Sequence, residues 1–149
     1  MTTALLEKPM NIKVRVSGGR VVEADLYKEL SIDINNIRQE LIHQPAKYAT
    51  WAVLSDLAEQ RLAKIERELD GLNVGDERYL ELLEKYFTAK KQYEFFYQTK
   101  EAFYHRMSAL LKLWSNPTRK EVLDDFQNTI SNIRALLKDI VPLSSPENN

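Results

Sequence analysis

Apolar and polar residues alternate from Met10 to Val16, with Met10, Ile12, Val14 and Val16 on one side of the alternation and Asn11, Lys13 and Arg15 on the other. After Ser17-Gly18-Gly19 the chain resumes with Arg20-Val21-Val22. A period of two broken by small turn residues predicts a two-stranded β-hairpin. A ribbon this short is marginal in water, so it must lie on helices or on another subunit. From Ser31 to Gln44 the spacing changes: Ile34, Ile37 and Leu41 recur at helical intervals, and Pro45 marks a boundary, ending that helix or opening the next as a first-turn proline.

Beyond Pro45 the pattern becomes a heptad. Tyr48, Ser55, Leu62, Leu69 and Trp51, Ala58, Ile65, Leu72 are two series of spacing seven, offset by three, as in the seam of packed helices. Asn73-Val74-Gly75 carries the residues of a C-terminal cap and turn. The rule returns with Tyr79, Tyr86, Tyr93, Lys100, Met107, Trp114 and Leu82, Ala89, Phe96, Phe103, Leu110, in which Lys100 alone is polar. At 1.5 Å per residue these helices span about 40 and 60 Å and predict a long antiparallel hairpin. Ser115-Asn116-Pro117-Thr118 interrupts it, with Asn116 as N-cap, Pro117 at the first helical position and Thr118 and Glu121 as a capping box. A third helix follows with the stripe Leu123, Phe126, Ile130, Ile133, Leu137 and Ile140. A narrow apolar stripe on a terminal helix either packs on the hairpin or marks self-association, since otherwise it stays in water. The break at Pro117 favours self-association.

The expected fold is all-α: a long antiparallel helical hairpin plus a C-terminal amphipathic oligomerisation helix, preceded by a short N-terminal β-hairpin. The expected organisation is an extension over 1–30, a helical hairpin domain over 31–115, a self-association helix over 116–141, and a disordered tail over 142–149, whose composition is Pro, Ser, Asn and Glu.

A chain of 149 residues sustains one core without staples. Cysteine is absent, which removes disulfides, thiolate metal sites and cysteine nucleophiles. Neither a signal peptide nor an apolar run long enough to span a bilayer occurs, so a soluble, cytoplasmic protein is expected. The net charge of −1 hides an asymmetry, because residues 85–120 carry eight cations against two carboxylates. An anionic partner is to be sought there.

Catalysis has little to stand on. The two histidines, His43 and His105, have no triad spacing around them, Gly18-Gly19 lacks a phosphate-binding motif, and no Glu-x-x-His pair supports a di-metal bundle. No enzyme, cofactor or metal is expected. The informative stretch is 85–106, which holds eight of the fourteen aromatic residues. Tyr86, Tyr93, Phe96 and Phe103 belong to the seam, and Tyr97 and Tyr104 flank it and widen the buried face. Phe87, Lys91 and Phe95 align at i, i+4 and i+8 on the outer side. Another chain or helix covers that side, or it presents rings and cations to a ligand with flat bases and phosphates. Lys100 sets register or snorkels at the hairpin edge. Lys112, Arg119 and Lys120 form a basic rim or balance a helix end. Lys13, Arg15 and Arg20 form a small patch or protect an edge strand.

The segment Leu41-x-x-Gln44-Pro45-Ala46-x-Tyr48-x-x-Trp51, the long charged helix, the turn, the run Tyr79 to Trp114 and the terminal helix together resemble the phage UvsY-like recombination mediators over about residues 31–140. The resemblance implies an oligomeric ring, assembled through the C-terminal helix, that binds single-stranded DNA and helps a RecA-type recombinase displace single-strand-binding protein. It places a basic DNA-contact motif near the end of the first long helix, here Arg61, Lys64 and Arg67, which share one side but alternate with Glu66 and Glu68. Lys90, Lys91, Lys112 and Arg119 are the alternative carriers, with Phe87 and Phe95 as stacking rings. The competing expectation is a helical structural or adaptor protein of a phage or prophage, with no nucleic-acid partner.

Overall fold

The structure, a computed structural model, describes residues 9–15 and 21–140, Arg15 by its backbone alone. The expected turn Ser17-Gly18-Gly19, Arg20 and the tail 142–149 lie outside the described residues. Strands β1 (Asn11–Arg15) and β2 (Val21–Asp25) pair antiparallel, with Ile12 opposite Ala24 and Val14 opposite Val22. Helix α1 (Leu26–Leu30) follows at once, then a 3-10 turn (Ile34–Asn36) and three helices: α2 (Ile37–Asp70), α3 (Glu77–Ser115) and α4 (Lys120–Asp139). Helices dominate, with the hairpin at the N-terminal end, as the periodicities predict.

The alternation in β1 works as expected: Met10, Ile12 and Val14 are buried while Asn11 and Lys13 face water. The hairpin therefore lies on this chain's own helices, in one continuous core with Leu26 and Leu30 of α1, Trp51 of α2, Phe96 and Phe103 of α3, and Phe126 and Ile130 of α4. Asp25 locks the start of this unit. Its Oδ1 accepts hydrogen bonds from the Met10 and Tyr27 amides at 2.8 and 3.0 Å, capping α1 and holding the residue before β1.

Four details depart from the sequence reading. Pro45 lies inside α2 rather than at a helix boundary. An interior proline costs about 3 kcal/mol, and packing on both sides outweighs it. Gln44 is bonded to the Phe103 carbonyl, and the Trp51 ring lies 6.0 Å from Phe103 and 6.3 Å from Phe96. The helix starts at Ile37 rather than Ser31, because Asp33 holds the Asn35 amide at 3.0 Å in the turn before it. It ends at Asp70 with Gly71 as cap, ahead of Asn73-Val74-Gly75. Asn116 accepts from the Thr118 amide at 3.1 Å in a turn, so α4 starts at Lys120, and Glu121 pairs with Arg119 at 2.7 Å instead of completing a capping box.

The terminal helix corrects the largest expectation. α4 packs back along α3. Phe126, Ile130, Ile133 and Ile140 are buried within the chain, and Leu123 and Leu137 are partly covered against the same core. The six residues read as an oligomerisation stripe have an intramolecular partner, and none of them requires a second copy to leave water.

Candidate nucleic-acid interface

α3 is 39 residues long, about 58 Å at 1.5 Å per residue. Asp76 starts it by accepting from the Arg78 amide at 2.9 Å. Its heptad positions sort into bands by what covers them. Leu82, Ala89, Phe96, Phe103 and Leu110 form the seam against α2 and are buried throughout. On one flank, Gln92, Thr99, Arg106 and Leu113 recur every seven residues, as do Phe95, Ala102 and Ala109, and all seven are buried. The small side chains Ala102 and Ala109 let another element approach closely. This is the flank that receives α4, for Ala109 shares a small cleft with Val122 and Phe126.

Phe95 is thus 0% exposed, with its ring 5.4 Å from that of Phe96, and it does not form an outward pair with Phe87. Phe87 is 53% exposed, on the distal part of the hairpin. Eight residues of helix amount to about 80° beyond two full turns, enough to separate a covered ring from an open one.

The other flank is only partly covered. There Tyr79, Leu83, Tyr86, Lys90, Tyr93, Tyr97, Lys100, Tyr104, Met107, Leu111 and Trp114 follow alternating steps of four and three, and none of them is buried. Tyr104 is 61% exposed and Trp114 57%. The ridge holds five of the chain's seven tyrosines, and it runs the length of the helix. Tyr93 and Tyr97 lie with ring centroids 6.0 Å apart, and Lys100 Nζ stands 4.6 Å above the Tyr97 ring. Lys100 therefore leaves the seam by lying over its neighbour. The Tyr97 phenol is held above its usual pKa, first by the hydrogen bond it donates to Glu101 and then by that carboxylate's charge.

The cations expected to touch DNA fall into two groups. Arg61 Nη1 donates to Gln92 Oε1 at 3.1 Å, which sets Arg61 beside the turn carrying Lys90 and Lys91. Lys64 and Arg67 lie one and two turns nearer the hairpin tip. These side chains are exposed and, among the described residues, form no ion pair, though Glu59, Glu66 and Glu68 are exposed among them. Lys112 and Arg119 are about 30 Å further along α3, by its rise per residue. They line the cleft between α3 and α4 with His105, Glu121 and Asp125, and Arg119 is paired to Glu121. The fold does not bring the two groups together.

Arg106 is the polar residue the sequence reading passed over. It is 0% exposed, yet every contact is met: Nε donates to the Leu30 carbonyl, Nη1 to Gln44 Oε1 and Nη2 to the Ser31 carbonyl, each at 2.8 Å, and Nη2 lies 3.1 Å from Glu40 Oε2. Burial pushes the guanidinium below its ordinary pKa, and Glu40 opposes that shift. One side chain thereby ties α3 to α2 and to the linker after α1, and so fixes which flank of α3 is closed. Its signal in the sequence was the spacing of seven from Thr99 and to Leu113.

Among the described residues no group of three or more His, Asp or Glu could hold a metal ion, and no helix is long and apolar enough to cross a membrane. Compared with known protein families, curated proteins and solved structures, the chain has no match.

Proposed function

We propose that the protein binds single-stranded DNA along the open ridge of α3 and works in the cytoplasm as an oligomeric recombination mediator, assisting a RecA-type recombinase where single-strand-binding protein occupies the strand. The observation that carries this reading is the succession of tyrosines, half-buried at Tyr79, Tyr86 and Tyr93 and exposed at Tyr97 and Tyr104, with Lys90 and Lys100 among them. Such a surface suits a flexible strand: bases stack on ring faces whatever their identity, and ammonium groups neutralise phosphates. A single ridge with two lysines binds weakly, and an assembly of several copies on one strand multiplies such contacts. The resemblance of the sequence to UvsY-like mediators points the same way.

The test is titration of a fluorescent single-stranded oligonucleotide at low and moderate salt, with the mass of the protein followed by light scattering in the same buffers. Saturable binding that weakens with salt is expected, since displaced counterions accompany phosphate contacts. An assembly that binds no strand even at low salt refutes it. That outcome leaves the adaptor reading, favoured by the strict spacing of seven along the ridge, which is also how a helix receives another helix.

A further inference from the structure

We infer that the ridge does not distinguish DNA from RNA: its ligand class is any extended single strand, whatever its sugar and sequence. The inference rests on the proposed strand binding and concerns what the surface is able to read. Telling ribose from deoxyribose needs a fixed donor or acceptor at the 2′ position, and reading bases needs fixed polar groups along their edges. The backbone of a helix interior offers neither, because its N–H and C=O groups are spent on each other. The turns that bound α3, residues 71–76 and 116–119, lie beyond the ridge's two ends rather than along it. What remains is ring faces, phenol hydroxyls, the aliphatic side chains of Leu83, Met107 and Leu111, and two ammonium groups on flexible stems. The Tyr97 phenol has Glu101 of its own helix as its neighbour, which raises its pKa. Nor do ridge residues line the cleft between α3 and α4 that would supply a wall. A convex row of rings also has no way to stack on bases already paired, so a duplex is a poor ligand. DNA selectivity in recombination would then reside in the recombinase.

The experiment uses the full chain and three probes of equal length, about a dozen nucleotides within the range that single-strand sites cover: oligo(dT), oligo(rU) and a mixed-sequence duplex. Affinities for the two single strands are expected within about threefold of each other, and that for the duplex at least about tenfold weaker. The Tyr97→Ala, Tyr104→Ala double variant should lower both single-strand affinities in parallel, by at least about fivefold, as stacked rings do. A preference above about tenfold for one sugar, or a loss on one strand alone, overturns the inference while leaving strand binding intact. Failure of both single strands to bind at low salt overturns the functional reading and the inference with it.

Discussion

Replacing Arg106 by methionine keeps much of the side chain's length and removes the guanidinium. Four acceptors then lose a donor: the Leu30 and Ser31 carbonyls, Gln44 Oε1 and Glu40 Oε2. Leu30 and Gln44 are buried, so water does not readily replace the missing partner. Breaking a buried charge pair by removing one member costs about 3–5 kcal/mol. Against a total stability of about 5–15 kcal/mol that is a large fraction. For a chain of this size it corresponds to a fall in melting temperature on the order of 10 °C. The assay is thermal and urea unfolding followed by the helical circular-dichroism signal, with amide exchange in β1 and α1 as the local readout. Arg106→Lys should recover only part of the loss, because an ammonium at the end of a flexible stem does not serve four separated acceptors. Removing Glu40 and Gln44 as well should not restore full stability either, since two of the acceptors belong to the backbone. A loss below about 1 kcal/mol, or complete rescue by lysine, would refute the reasoning.

Other substitutions separate covered from open positions. Phe95→Ala should cost about 3–5 kcal/mol by urea unfolding, whereas Phe87→Ala should leave stability within about 0.5 kcal/mol of the parent. Phe126→Asp places a carboxylate in the core under α4 and should unfold at least that helix by circular dichroism, whatever its effect on oligomer mass. Lys90→Glu with Lys91→Glu should abolish binding of a single-stranded oligonucleotide while helical content and light-scattering mass stay unchanged. In ultraviolet titration Glu101→Gln should bring one tyrosine's ionisation to lower pH. The sign follows from a raised folded pKa: the Tyr97–Glu101 bond is fully present below the ordinary tyrosine pKa and is lost as pH rises through the raised one.

Periodicity made the hairpin of helices legible because the seam is one-dimensional: Leu82, Ala89, Phe96, Phe103 and Leu110 repeat at seven, and all are buried. The alternation of Met10, Ile12 and Val14 was equally plain. What spacing does not encode is which flank of that seam receives a third element. The flank carrying Phe95 and the flank carrying Tyr97 are both apolar and aromatic, and they differ in their neighbours: Ala102 and Ala109 on one side, Lys90 and Lys100 on the other. The small residues let α4 approach, and the lysines need water. The same blindness let the α4 stripe stand for self-association, because a stripe alone does not name the surface it meets. Pro45 misled for the opposite reason, a strong local signal overruled by Gln44 and Trp51 packing on α3.

The closed and open flanks of α3 are two results of one arrangement. Arg106 draws the linker after α1 and the start of α2 to one side of the helix, and α4 packs along α3 on that same flank. The opposite ridge, lined by five tyrosines and a tryptophan, is left half-covered at Tyr79, Tyr86 and Tyr93 and exposed at Tyr97, Tyr104 and Trp114. Tyrosine suits such a position, since its ring tolerates water through the hydroxyl yet gains when a flat partner covers it. A purely apolar ridge of this length would draw copies together without selection, and a purely basic one would bind any polyanion. Rings with lysines interspersed gain most from a partner that presents flat faces and anionic groups in alternation. An unpaired nucleic-acid strand has that pattern, which is why the proposed function takes the ridge as its site.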